Sequence, residues 1–433
     1  MGTIIKWIVN MNKYRLYWAK ESKEAIGVKT LMFLVWPFAA WIYALKKANT
    51  RSSFFIFFLF SLLVCWHFSE TGLTQRYDDF MGIRDRFLES NYSFIQISNE
   101  ISSYFKMASG APKDIYENTL MWLVKVLFGN NYHFFFLFAS IPVALCQLKI
   151  IKHITCDKKF IAGSLFGFWV LVMMILPRDI VTVQNPRFST GFWVCVLSSI
   201  YYFCGYGNKY LYFMLVLISP LCHSGLWIYV LLFLVSTIIP QKTRVFEFAA
   251  IVSIPFMFFD TGLLSNIDVG FLPDSMRFWA ERQMDDESYS TFVLNEGKSG
   301  FHWITDSFNL LMRVAYIYMT WEMIRRRDTI LNDNETKRFY HFYLLAFAFI
   351  NFIQFVPIIG ARYYWFTRIF CLFLWFKTFF PTHKKTLYFL VFACSWSIFE
   401  RYGYINGGAL LCNTPLDLYV MPLPYLLGKG LLW

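Results

Sequence analysis

The chain has 433 residues, of which 57% are hydrophobic, 21% aromatic and only 16% charged. A soluble domain is nearer half apolar and a quarter charged, so this composition excludes a water-soluble globule, a disordered chain, a coiled coil and a nucleic-acid binder. The net charge of +12 has its first explanation in the Lys/Arg excess of cytoplasmic loops.

A spanning helix needs about 20 apolar residues, because ~30 Å of hydrocarbon is crossed at ~1.5 Å per residue. In chain order, apolar runs fall at 28–46, 53–69, 132–148, 160–177, 188–204, 210–240, 246–264, 302–323, 339–358, 364–380 and 386–402. They predict an all-α polytopic membrane protein with roughly 11–13 transmembrane helices. A basic segment (1–27) precedes one transmembrane domain (28–405), and an apolar tail (406–433) follows. The N-terminus lacks a short apolar core followed by a small-residue cleavage site, so no removable signal peptide is read there. The nine cysteines are scattered, with no CxxC pair and no metal-ligand spacing, so neither a disulfide framework nor a metal site is expected.

Connections rich in Lys alternate along the chain with connections that are poor in it, as inner and outer loops should. The outer set is 70–131, 178–187, 265–301, 359–363 and the tail. Two of these, 70–131 and 265–301, are long, and long loops in compact proteins are often functional. The N-tail is basic although parity puts it outside. Either run 28–46, which contains Pro37, is re-entrant, or the charge rule fails there.

Two runs break the ladder. The stretch 210–240 is too long for one span and too short for two, with basic flanks at both ends. It predicts a hairpin with its tip at Pro220-Leu-Cys-His-Ser-Gly225, placing His223 within the membrane's depth. Residues 117–128 are too short to span and end at Gly129-Asn130-Asn131. They predict a half-helix, opened by Glu117, that dips in from outside.

The outer loops should be poor in positive charge, yet they hold Arg76, Arg84, Arg86, Arg178, Arg187, Arg277, Arg282 and Arg362, with Arg368 near a span end. Arginine recognises phosphate with a planar fork and keeps its charge when buried. An anionic ligand is one reading. Local ion pairing, as between Arg84, Arg86 and Asp85, is the other. Asn185-Pro186 reads as cap and first residue of a helix whose free N–H groups, with Arg187, would suit an anion. Gly360 is expected to break a helix ahead of Arg362, whose neighbours Tyr363 and Tyr364 could stack on a sugar or a lipid group. Arg313 lies in mid-span, where a charge is costly and marks function or a buried pair with Asp306 or Asp260. His223 either satisfies broken-helix carbonyls or serves as a general base or phosphate-side donor. Glu117 is either a favourable charge in a first helical turn or a group that orients or deprotonates a hydroxyl. Asp78 and Asp79 pair with Arg76, cap a helix, or act on substrate.

The ordered pieces Tyr77-Asp78-Asp79, Tyr116-Glu117-Asn118, Arg187-Phe-Ser-Thr-Gly191, His223-Ser224-Gly225 and Arg362-Tyr363-Tyr364 resemble those of the EpsG-like branch of the Wzy-type polysaccharide polymerases. Each motif is short, and their order over residues 30–405 carries the resemblance. Phe80-Met81-Gly82 stand where that family often has a Tyr, and Ser189-Thr190-Gly191 where a small Ala is usual. The resemblance implies a metal-independent, GT-C-like enzyme of the bacterial inner membrane with its active site facing the periplasm or exterior, and no cofactor. It would join oligosaccharide repeat units carried on undecaprenyl diphosphate, as donor and acceptor, with a chain-length regulator as a further partner. A hydroxyl of the acceptor would attack C1 of the donor sugar while lipid diphosphate leaves. Arg187 and Arg362 are assigned to the diphosphate, with Arg178, Arg368, Arg313, Arg76, Tyr363 and Asn185 in support. His223, Glu117 or Asp78 would be the base. A flippase or exporter of the same lipid-linked sugars and a membrane sugar O-acyltransferase are the rival expectations.

Overall fold

The computed structural model describes residues 18–68, 79–106, 112, 114–157, 160, 164, 167, 171, 180–240, 242–258, 302–354, 357–380, 388 and 417–431. Among these the regular structure is helical throughout, with no strand. The chain divides into two compact units, one of Met1–Leu226 with Phe380–Thr382 and Arg401–Trp433, the other of Trp227–Phe379 with His383–Glu400.

In the first unit, α1 (Lys23–Val35) and α2 (Pro37–Leu45) interrupt what the sequence reads as one run. Proline disfavours helical backbone in the residue before it, and Trp36 takes φ −152° and ψ 86°. Its indole Nε1 donates to the carbonyl of Tyr419 at 2.6 Å. Helix α3 (Arg51–Trp66) follows, capped by the Thr50 side chain. The buried Lys29 ammonium fastens α1 to the start of α3, with Glu21 at 2.6 Å, Ser53 at 2.7 Å and Ser52 at 2.9 Å. Three shorter helices come next: α4 (Asp79–Glu89), α5 (Phe94–Phe105) and α6 (Tyr116–Phe128). The last is the expected half-helix, ended by Gly129 at φ 67°.

Helix α7 (Tyr132–Thr155) has 24 residues, about 36 Å at ~1.5 Å per residue. Among the described residues it is the one helix both long and apolar enough to cross a bilayer, while the segments Arg51–Trp66, Lys209–Leu221 and Ser224–Ile238 are apolar but shorter. Helix α8 (Pro186–Cys204) packs between α7 and α9 (Lys209–Ile218). All but three of its 19 residues are buried, which makes it the axis of the unit. After α9 the chain passes through two short 3₁₀ turns, Ser219–Leu221 and Ser224–Leu226, so the helix is broken where the sequence placed a tip.

The second unit comprises α10 (Trp227–Ile238), α11 (Thr243–Ser253), α12 (His302–Arg325), α13 (Arg327–Leu331), α14 (Asn334–Phe352) and α15 (Pro357–Phe379). Helix α14 packs on α10, α11 and α15. A buried network ties α11 to its neighbours: Glu247 accepts from Arg327 at 2.9 Å and from the Tyr340 hydroxyl at 3.0 Å. Two terminal helices, α16 (Asp417–Val420) and α17 (Leu423–Leu431), belong to the first unit and are bridged by Lys429 and Asp417 at 2.6 Å.

Gly360 does not break a helix. It lies in the first turn of α15, where an added Cβ would meet the Gln354 backbone at 2.7–2.8 Å. The helix starts instead at Pro357, so Arg362 sits on its second turn. Most of run 160–177, all of 386–402 except Tyr388, and loop 265–301 lie outside the described residues.

Gly191 is the tightest contact of α8 with the hairpin tip. A Cβ there would overlap Leu226 Cδ1 and come within 3.2 Å of Cys222 Cβ and 3.3 Å of the Ser219 carbonyl. Overpacking of this kind costs about 1–3 kcal/mol. Gly191→Ala should therefore lower the apparent melting temperature; an unchanged value would mean the tip relaxes freely.

Candidate functional site

Three interruptions of helical structure meet in the first unit. The start of α6 is joined to the hairpin tip by the Ile115 amide, which donates to the Leu221 carbonyl at 3.2 Å. It is joined to α8 by the Thr190 hydroxyl, which donates to the Tyr116 hydroxyl at 3.2 Å. The first turn of α8 is set as the sequence predicts, with Pro186 at its first position and Asn185 Oδ1 accepting from the Phe188 amide at 3.5 Å. One N–H group expected to await an anion is thus taken by the helix's own cap.

This junction brings Arg187 between two buried carboxylates. Its Nη1 lies 3.3 Å from Asp114 Oδ2 and its Nε 3.0 Å from Glu117 Oε2. Glu117 Oε1 is in turn 3.0 Å from Nη2 of Arg86, at the end of α4. Asp114 is 7% exposed and Glu117 3%. Such burial is tolerable because each charge has a partner. The four groups line a cavity of about 440 Å³, closed further by Glu89 and Tyr92. The α4 end of the wall is held by Lys125 of α6, which donates to the carbonyls of Leu88 and Ser90. Asn118 donates to Glu100 of α5 at 3.0 Å.

The sequence reading leaves Arg187 without a carboxylate, and the fold supplies two. Arg86 turns from its neighbour Asp85 to Glu117, while Arg84 keeps Asp85, at 2.7 Å. Asp114 was not singled out from sequence. It lies two residues ahead of α6, outside the helix, so no helical spacing from Glu117 announced it.

His223 stands at the tip, half-buried, its ring edge-on to Phe188 with centroids 5.2 Å apart. Its Nδ1 accepts the Gly225 amide proton at 3.1 Å. A neutral imidazole has one donor and one acceptor nitrogen, so here Nε2 carries the proton. His223 therefore carries a donor at Nε2, and through Nδ1 it satisfies a backbone N–H.

In the second unit, Arg368 is 6% exposed in mid-helix. Its guanidinium lies 4.3 Å from the Tyr364 ring, 4.6 Å from Trp365 and 5.7 Å from Tyr316. Desolvated cation–π contacts are worth about 2 kcal/mol. Among the described residues no carboxylate forms an ion pair with Arg368, and its Nε has no hydrogen-bond partner. Arg313 Nη1 donates to the Met257 carbonyl at 2.6 Å. That carbonyl lies in the 3₁₀ turn Ile254–Phe258 ending α11, where helical acceptors are left over. This backbone acceptor is its partner among the described residues; Asp260 and the side chain of Asp306 lie outside them. Tyr363 is buried with its ring on Phe366, centroids 5.6 Å apart. Arg362 is half-buried. Arg76, Asp78 and Arg178 lie outside the described residues.

Burial pushes the Asp114 carboxyl up from its ordinary 3.8 to about 6; Arg187 beside it pulls down, and Glu117 pushes up. The folded chain thus holds this proton more tightly than the unfolded chain. The stabilisation is fully present below about pH 4 and is lost as pH rises through about 6. Asp114→Asn should remove that part of the decline, so the variant gains on wild type in melting temperature between about pH 4 and 7. Parallel curves over this range would show that Asp114 is ionised at no cost.

No family model, no curated protein and no solved structure matches this chain.

Proposed function

We propose that the chain is a polytopic membrane glycosyltransferase that joins lipid-diphosphate-linked oligosaccharide repeat units, acting on the face exposed to the periplasm or exterior. The observation that carries this reading is the cavity bounded by Asp114, Glu117, Arg86 and Arg187. Carboxylates in a polar cavity are suited to hydroxyl groups, which they accept from and can deprotonate. The broken backbone at 219–226 beside it fits a membrane enzyme, since irregular backbone at membrane depth must be buried or line a cavity.

A glycosyl transfer of this kind also needs positive charge for the departing diphosphate. The sequence assigns that charge to arginine side chains. Pre-placed donors aimed at developing charge are worth about 10²–10³ in rate. Arginine keeps its proton when desolvated, which suits a metal-independent reaction.

The test uses purified protein in detergent with undecaprenyl-diphosphate-linked oligosaccharide extracted from cells that lack this protein. With a chelator present, the expected product is a ladder of longer lipid-linked chains. Absence of any ladder, from protein shown to be folded, would overturn the polymerase reading.

A further inference from the structure

The proposed reaction requires a group that takes a proton from the acceptor hydroxyl. Three residues of the first unit are chemically able to do so, and their surroundings separate them. His223 has its Nδ1 lone pair occupied by the Gly225 amide, so the nitrogen left over already bears a proton. Glu117 has each oxygen 3.0 Å from a different guanidinium. Asp114 is engaged through Oδ2 alone. Among the described residues nothing is bonded to its Oδ1, and the carboxylate, more than nine-tenths buried, faces the cavity.

We propose that Asp114 is the general base for the acceptor, and that the cavity is a subsite for a neutral, polyhydroxylated sugar rather than for the diphosphate. This rests on the polymerase reading. The cavity wall carries three carboxylates, Glu89, Asp114 and Glu117, against two guanidinium groups, Arg86 and Arg187. A diphosphate would meet an excess of negative charge there, whereas sugar hydroxyls find acceptors and donors.

In the step itself, the acceptor oxygen bonds to C1 of the donor sugar. Its proton passes to Asp114 Oδ1. The bond from C1 to the diphosphate oxygen breaks, and its electron pair leaves with the lipid diphosphate. Arg187 is a positioning residue: it fixes Oδ2 and turns the other oxygen to the cavity. The charged and titratable groups facing Asp114 are Arg187 of α8, Glu117 of α6, Arg86 and Glu89 of α4, and Cys222 of the hairpin tip, with Tyr92 across the cavity. A base poised slightly below neutral pH is well matched to proton transfer at pH 7.

The experiment measures elongation against pH for wild type, Asp114→Asn, Glu117→Gln and His223→Gln, using the extracted lipid-linked oligosaccharide. Wild type should lose rate as pH falls through about 6, where burial places the Asp114 carboxyl. Asp114→Asn should fall about 10²–10⁴-fold, its residual rate flat over the acid range. His223→Gln should keep the acid limb. Binding of the extracted lipid-linked oligosaccharide, followed by tryptophan fluorescence, should persist in Asp114→Asn, which separates a lost base from a lost fold. Near-wild-type elongation by Asp114→Asn, or a slow variant that keeps the acid limb, would overturn the base while leaving the polymerase reading intact. No elongation by folded wild type overturns both.

Discussion

A guanidinium held between two buried carboxylates organises the first unit. Arg187 comes from α8, most of whose residues are buried, while Glu117 comes from the start of a half-length helix and Asp114 from the segment just before it. Neither carboxylate would be tolerable at its depth alone, and leaving one partner of such a group uncompensated costs about 3–5 kcal/mol. The ion pairs therefore position α6, and with it the cavity that α4 closes through Arg86. The junction is also where the chain departs most from regular helix, so polar backbone and charged side chains are gathered in one place.

The second unit handles its charges differently. Glu247 is ion-paired with Arg327 and also accepts from Tyr340, and Glu322 accepts from Trp375. Arg368 instead rests on aromatic faces, and Arg313 on a leftover carbonyl. Rings and carbonyls solvate a cation without neutralising it. Among the described residues these two arginines form no ion pair, whereas Arg187 is part of a cluster whose lining carries three carboxylates against two guanidinium groups.

Much of the helical plan was legible in the sequence because its signals are local. The half-helix Tyr116–Phe128, the Asn185-Pro186 start and the broken tip at 219–226 follow from length, capping and proline chemistry. What was not legible depends on contacts between distant segments. Arg187 and Asp114 are 73 residues apart, and no local pattern announces their pairing. Gly360 misled for the same reason: its lack of a side chain serves a close approach to Gln354, not a helix end. The tautomer of His223 likewise follows from a turn that only the fold defines.

The absence of clearance at Gly191 has a practical corollary. Because α8 and the hairpin tip are in van der Waals contact there, the tip has no slack for inserted residues, and a label or fusion placed between Ser219 and Leu226 would pry open the wall that carries Arg187. Gly129 and Asn130 are exposed, and Gly129 already takes a positive φ of 67°. That corner is the better attachment point for a topology reporter or a fluorophore.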